Sequence, residues 1–380
     1  MPLLGGLTPT QFMRRHWQKK PLVVHGAAPG FKPLLTRAQL FKLAARDAVE
    51  SRLVWRESST DGQWHLRHGP FKRLPAIKRG YWSVLVQGVD LHDDAARALL
   101  DCFRFIPDAR LDDLMISYAA DGGGVGPHFD SYDVFLLQAH GRRRWRIGRQ
   151  KDRTLIPNLP VKILARFEPE EEHLMEPGDL LYLPPGWAHD GVAEGECMTY
   201  SAGFRQPVAA ELACEVLQRL ADDCGDLLKE SVYSDPKQDA TEQPGAIPPA
   251  MLDFAHAALD RALAAMAKEH ALMQYLGETL TEPKPTVWFG DDDDGQGAPE
   301  PADGGLRLDR KTRMLYGDEG GASFVFINGE SFRASGADAA LMRQLADRRA
   351  LSAFAAKRLS VHARAMLAQW REAGWLHDGD

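Results

Sequence analysis

The chain has 380 residues, 44% hydrophobic and 26% charged, with a formal net charge of −7. These are ordinary globular values, the length calls for two or three domains, and the acidic balance argues against a chain-wide nucleic-acid surface. The four cysteines, Cys102, Cys197, Cys214 and Cys224, form no CxxC pair and no dense framework, so they read as reduced thiols of a cytoplasmic protein. MPLLGGLTPTQFMRRHWQKK lacks the apolar centre of a signal peptide, and no apolar run reaches the ~18 residues of a spanning helix, so no membrane partner is expected.

Near the start, LTPTQFMRRHW and LTRAQLFKLAA each carry a threonine at the head of a helical pattern and predict two capped helices. Short apolar runs broken by Gly, Pro and Asp follow: YWSVLVQG, LMISYAA, DVFLLQA, RRWRIG and DLLYLPPG, with PLVVHG lying earlier, between the two helices. Up to Pro207 this is the texture of an all-β barrel or sandwich with some helix near its start. From Val208 the pattern turns helical, with Leu212, Val216 and Leu220 spaced by four. After a loop, SDPKQDATEQPGAIPP, an apolar stripe of Leu252, Ala255, Leu259, Ala262 and Met266 follows. Such stripes serve as packed core or as a dimer interface, and the sequence leaves both open.

FGDDDDGQGAPEPADGG, residues 289–305, reads as an acidic linker whose four aspartates are solvated loop rather than a cation site. In the last segment, SFVFINGESF predicts a hairpin around Asn328-Gly329. ARAMLAQWREAGWLH predicts a helix, a stop at Gly374 and a short final strand. Hairpin plus helix suggests a winged-helix-like module, and without a basic recognition helix DNA binding is the weaker use of it. The expected units are therefore 1–207, 208–288, the linker 289–305, and 306–380.

The chemistry concentrates in GPHFDSYDVFLLQAHGRRRW. Strand residues two apart share a face, so His128 and Asp130 point together while Phe129 points away. Gly122, Gly123, Gly124 and Gly126 before them allow tight bends and leave space beside the pair. Downstream, EPGDLLYLPPGWAHDG places His189 just after a turn, a strand and a second turn. Two histidines and a carboxylate brought together across an antiparallel barrel form a facial triad with three open positions, which suits non-haem Fe(II) and O2. His140, in QAHGRR, and His173, in EPEEEHL, read as solvated loop residues and are set aside as ligands. In GRRRWRIGR, Arg143 shares strand parity with Trp145 and Ile147 and should point inward, whereas Arg142, Arg144 and Arg146 point out. A buried guanidinium needs an anion. That anion is either a protein carboxylate or the distal carboxylate of 2-oxoglutarate, which a planar fork grips with two prongs. Ser117, or Tyr118 from the opposite face, could share that carboxylate.

The strings MISYAADGGGVGPHFDSYDVFLLQAHGRRRWRIG, EPGDLLYLPPGWAHDG and WQKKPLVVHGA closely resemble the bacterial JmjC-type ribosomal oxygenases, over most of the chain. The resemblance implies a mixed α and β fold. A double-stranded β-helix (jelly-roll, cupin/JmjC) catalytic domain would be followed by a helical dimerisation region and a C-terminal winged-helix-like domain. It implies an Fe(II)- and 2-oxoglutarate-dependent dioxygenase that hydroxylates an arginine, at carbon 3, of large-subunit ribosomal protein sixteen. Carried over by position, His128, Asp130 and His189 hold the iron, and Arg143 and Ser117 hold 2-oxoglutarate. Asp121 or Tyr132 would hold the substrate guanidinium. A homodimer is implied, and no direct nucleic-acid contact is required. Two other readings keep part of this picture: a metal cupin of other chemistry, with no need for an inward arginine, and a non-catalytic ribosome-binding module, against which the intact triad counts. Lysine demethylation by the same core is the less expected reaction.

Overall fold

Helix α1 (Pro9–Arg15) and helix α2 (Arg37–Ala44) start where the threonines require. The Thr8 hydroxyl accepts from the Gln11 amide while the Gln11 side chain accepts from the Thr8 amide, and Thr36 and Gln39 repeat the exchange. Each box satisfies amides that the first helical turn leaves without partners. The structure, a computed structural model, describes residues 3–58, 63–229, 231–266, 268, 270–290 and 305–379. It divides into two units, Met1–Gln206 and Pro207–Asp380.

In the first unit the strands are β1 (Leu22–Val24), β2 (Ser51–Arg56), β3 (Trp64–His68), β4 (Trp82–Val86), β5 (Leu111–Ala119), β6 (His128–Phe129), β7 (Asp133–Gly148), β8 (Glu171–Met175), β9 (Leu180–Leu183) and β10 (Ala188–Phe204), with helix α3 (Asp94–Asp101) between β4 and β5. All join one ten-stranded antiparallel sheet in the order β1-β9-β7-β10-β5-β4-β2-β3, with β6 paired to β10 and β8 to β7. One face packs on the helices through a cluster that includes Phe12, Trp82, Phe135, Tyr182 and Phe204. The other face carries Val134, Leu136, Trp145, Ile147, Leu181 and Leu183.

DVFLLQA and RRWRIG are not two strands joined by a turn. They are one strand, β7, which pairs with β10 from Phe204↔Asp133 to Ala188↔Gly148. The register shifts between Glu194 and Thr199, and Gly141 and Gly195 face this irregularity with φ of +60° and +72°. A Cβ at Gly141 would lie 2.0 Å from the Glu196 carbonyl oxygen. A bulge carried by glycines bends the strand pair without ending it. His140 is therefore an exposed residue inside a strand, not a loop residue, and His173 likewise lies in β8, bonded to Glu171 at 2.9 Å.

The second unit opens with helices α4 (Ala209–Asp222), α5 (Cys224–Leu228), α6 (Pro249–Met266) and α7 (Ala271–Thr281). Val216, Leu220, Ala265 and Tyr275 make a small core among them. The α6 stripe departs from a purely internal role: Ala262 is buried, while Leu252 and Leu259 are 54% and 60% exposed. Beyond residue 304 come β11 (Gly305–Leu308), β12 (Met314–Glu319), β13 (Ala322–Ile327), β14 (Glu330–Ala334), α8 (Gly336–Arg348), β15 (Ala350–Leu351), α9 (Ala353–Ala356), α10 (Val361–Glu372) and β16 (Leu376–Gly379). They form sheets β15-β11-β16 and β12-β13-β14. Asn328 and Gly329, at φ of +48° and +89°, make the two-residue turn between β13 and β14. Gly374, at φ +73°, ends α10 before the last strand. The aspartates of the acidic linker, Asp291–Asp294, lie outside the described residues.

Candidate active site

The two imidazoles meet because β6 and β10 are antiparallel neighbours with His189 directly opposite His128. Their ring centroids are 4.3 Å apart. Asp130 follows as β6 ends, and its backbone oxygen accepts from the Gly186 amide at 2.8 Å, tying the glycine-rich segment to the turn before His189. The His128 Nε2 lies 3.8 Å from one carboxylate oxygen of Asp130, and the His189 Nε2 lies 3.6 Å from the other. One ligand atom from each of the three residues lies within 4.8 Å of the other two. Each imidazole uses its far nitrogen on the backbone, His128 Nδ1–H donating to Gly126 O at 2.8 Å and His189 Nδ1–H to Trp187 O at 3.0 Å. That assignment leaves both Nε2 lone pairs turned toward Asp130, the tautomer a metal ligand requires. Burial, with His128 opposite, pushes the His189 pKa down to about 4, so His189 is neutral at ordinary pH.

Arg143 stands beside this cluster. It is 6% exposed, and Arg142, Arg144 and Arg146 on the other parity are more open, with Arg144 paired to Glu172 and Glu194 and Arg146 to Asp190. Arg143 makes no ion pair with a protein carboxylate among the described residues. One terminal nitrogen donates to Ser117 Oγ at 3.4 Å, the guanidinium lies 5.6 Å from the Trp145 ring centroid, and Nε and the other terminal nitrogen are buried without partners. Each unmet buried donor costs about 1–3 kcal/mol, more for a charged group. Ser117 Oγ itself donates to Thr199 O at 3.3 Å. Trp145 owes its position to Gly191 across the β7–β10 pair: a Cβ there would lie 2.7 Å from the ring.

These side chains line a cavity of about 490 Å³. His128, Asp130, His189, Arg143, Ser117 and Tyr132 all border it. Asp121 does not. Asp121 is exposed, and one oxygen of its carboxylate accepts from the Gly195 amide at 2.7 Å and braces the β10 bulge. Tyr118, the alternative to Ser117 for sharing the co-substrate carboxylate, points to the opposite face and donates to Glu196 at 2.6 Å. Tyr132 borders the mouth, 37% exposed, with its phenol raised above the ordinary range by desolvation and by the Asp130 charge. Sequence reasoning missed Asp113 and Met115, although period-two alternation from Ser117 along β5 would have reached both. It also missed Arg52 and Ser83, which come from β2 and β4 and carry no local signal.

Fold and site together define a metal-binding jelly roll of the cupin type, with two histidines, one carboxylate and a buried arginine with two unmet nitrogens on one cavity. The JmjC domain family matches residues 98–212, and the ROXA-like winged-helix family matches residues 262–377. The structure superposes on Escherichia coli ycfD with a TM-score of 0.75, at 31% identity over 98% of both chains. It superposes on E. coli YcfD, a ribosomal oxygenase, in complex with cobalt and 2-oxoglutarate with a TM-score of 0.72, at 31% identity and again 98% of both chains. In sequence, the E. coli ribosomal protein uL16 3-hydroxylase is 41% identical over 249 residues, 64% of this chain and 64% of that protein. That alignment thus spans just under two thirds of the curated relative. The chain belongs to the JmjC ribosomal oxygenase family.

Proposed function

We propose that the protein is an Fe(II)- and 2-oxoglutarate-dependent dioxygenase that hydroxylates carbon 3 of an arginine side chain in the large-subunit ribosomal protein uL16. The observation that carries this reading is the pairing, in one cavity, of a three-residue cluster of metal-ligand type with a buried arginine two of whose nitrogens lack partners. The donor set fits a hard-to-borderline divalent ion with open positions, and the unmet guanidinium fits a carboxylate.

His128, Asp130 and His189 would hold the metal, and the backbone bonds at both Nδ1 atoms fix which nitrogen faces it. Arg143 would hold the distal carboxylate of the co-substrate, with Ser117 supplying a neutral hydrogen bond beside it. With Fe(II), 2-oxoglutarate and O2 bound there, the chemistry supplied is oxidative decarboxylation to succinate and CO2 with insertion of one oxygen atom into a C–H bond. The chain's own contribution is position and exclusion of water. Val134, Leu136 and Trp145 make the inner wall apolar, and a C–H bond held close to the metal needs no general base. Tyr132, which borders the cavity, and Asp121 would be the contacts for the substrate guanidinium.

The reading extends to a cytoplasmic homodimer. Met251, Leu252, Leu259 and Leu263 leave an exposed apolar face on α6, larger than isolated surface residues explain. No described helix is long and apolar enough to cross a membrane. The first test is succinate formation by the Fe(II)-loaded protein with and without uL16, followed by the intact mass of uL16. Stimulated turnover with a gain of one oxygen, lost in His128→Ala, supports the reading. Turnover without that gain removes uL16 as the substrate, and no turnover in iron-loaded protein removes the activity.

A further inference from the structure

Among the described residues, eight buried side-chain nitrogen or oxygen atoms lack a hydrogen-bond partner, and four of them belong to residues that line the one cavity described above. Two are on Arg143. The other two are Arg52 Nε and Ser83 Oγ. Ser83 is 1% exposed, so water does not serve its hydroxyl from bulk. Among the described residues the remaining unmet atoms fall one to a residue, on His65, Gln87, Tyr233 and Asn328, whereas these two sit together. Arg52 on β2 pairs with Leu85 on β4, and Val54 with Ser83, so Arg52 and Ser83 are diagonal neighbours on adjoining strands. A long side chain reaches across such a diagonal.

The co-substrate does not account for them. Leu85 is in turn opposite Ser117 on β5. Two strand spacings therefore separate the row of Ser117 from that of Arg52, about 10 Å. A five-carbon dicarboxylate placed with one end at the histidine cluster and the other on Arg143 has no group left for Arg52. The Nε–H of a guanidinium and a hydroxyl, to which no described residue supplies an acceptor, specify an oxygen acceptor from outside. We propose that Arg52 and Ser83 form a second polar subsite that grips a carbonyl or carboxylate oxygen of the polypeptide substrate, flanking the residue that is hydroxylated. This rests on the function proposed above and names positioning residues for it, contributed by the β2–β4 wall of the sheet.

The test uses the full-length protein loaded with Mn(II) and 2-oxoglutarate under anaerobic conditions, and a synthetic uL16 fragment containing the target arginine. The dissociation constant of the fragment should rise about tenfold or more in Arg52→Met and a few-fold in Ser83→Ala, the ratio of a charged to a neutral hydrogen bond. Arg52→Lys should recover part of the loss. In aerobic turnover with Fe(II), KM for the fragment should rise with a much smaller change in kcat, which a general loosening of the wall would not produce. Fragments with each flanking acidic or amide side chain replaced by alanine separate the two sources of the oxygen. If one replacement cancels the Arg52→Met effect, the acceptor is that side chain; if none does, it is a main-chain carbonyl. Equal fragment affinity in wild type, Arg52→Met and Ser83→Ala, at matching thermal midpoints, overturns the subsite while leaving the oxygenase. Absence of fragment binding and hydroxylation in the wild type overturns both.

Discussion

His128 and His189 carry the same hydrogen bond to a carbonyl two residues before them, and this local repeat sets two imidazoles to one task. The Asp130 carboxylate faces the two imidazoles and the Tyr132 phenol, while its backbone oxygen, which Asp130→Ala keeps, holds the Gly186 amide, so the variant should leave the thermal midpoint of the metal-free protein within a few degrees of wild type. Cobalt(II) titration should then show affinity lower by at least about a hundredfold, as expected when a triad loses its carboxylate. Arg143 invites a paired comparison. Arg143→Met should weaken 2-oxoglutarate by roughly a hundredfold and Arg143→Lys by about tenfold, since lysine keeps the charge and loses the two-pronged geometry. Equal affinities in the two variants, measured by calorimetry, would remove the guanidinium from the co-substrate site. These residues were legible because strand parity is a property of the local chain: His128 with Asp130, and Arg143 with Trp145, could be placed by counting. Asp121 could not, because its carboxylate is captured by the amide of Gly195, and nothing in the sequence near Asp121 announces that neighbour.

At the scale of elements, the long bent pair β7–β10 carries Arg143 and His189 on one piece of sheet, and Gly141 is the point where the bend passes close to another backbone. Gly141→Ala places a Cβ against the Glu196 carbonyl and at positive φ, and should destabilise the first unit by about 2 kcal/mol or more in urea unfolding. In the second unit, burial opposes ionisation of Asp309, but the His377 ring nitrogen at 2.8 Å and the Lys311 amide at 2.8 Å outweigh it and hold the carboxyl below its ordinary range. A depressed carboxylate stabilises the fold above its unfolded pKa, about 3.9, and loses that contribution as pH falls through the lower folded value. Asp309→Asn should therefore lower the midpoint of the second unit at pH 7 and flatten its decline below pH 4 in calorimetric scans. A variant whose acid limb matches wild type would dismiss the Asp309–His377 contact as a stabilising one. The helix starts at Thr8 and Thr36 were legible because a capping box closes within four residues. The continuity of β7 was not, because a bulge and a turn use the same glycine and differ only in which strand lies opposite.

The whole molecule comprises an oxygenase-type barrel and a second unit whose helices do not bury their own stripe. The exposed leucines of α6 make a direct prediction. The double variant Leu252→Glu, Leu259→Glu should sediment as a monomer if two copies cover this face, with secondary structure unchanged by circular dichroism. A wild-type protein that already sediments as a monomer at micromolar concentration would end the dimer reading. Periodicity alone made the stripe visible but could not say what covers it, since core and interface ask for the same residues at the same spacing.

The sequence by itself determined the parts that depend on short-range repetition: capped helices, alternating strands, the Asn328-Gly329 turn, and a His-x-Asp pair whose side chains share a face. Tertiary structure decided everything that depends on which strand lies beside which. It set His189 opposite His128, left two nitrogens of Arg143 without a partner among the described residues, tied Asp121 to the Gly195 amide, turned Tyr118 toward Glu196, and brought Arg52 and Ser83 onto the cavity wall. The physical reason is the same in each case. Side-chain direction is fixed within a few residues by backbone geometry, whereas hydrogen-bond partners and cavity walls are supplied by segments tens of residues away, through a register that only the folded sheet defines.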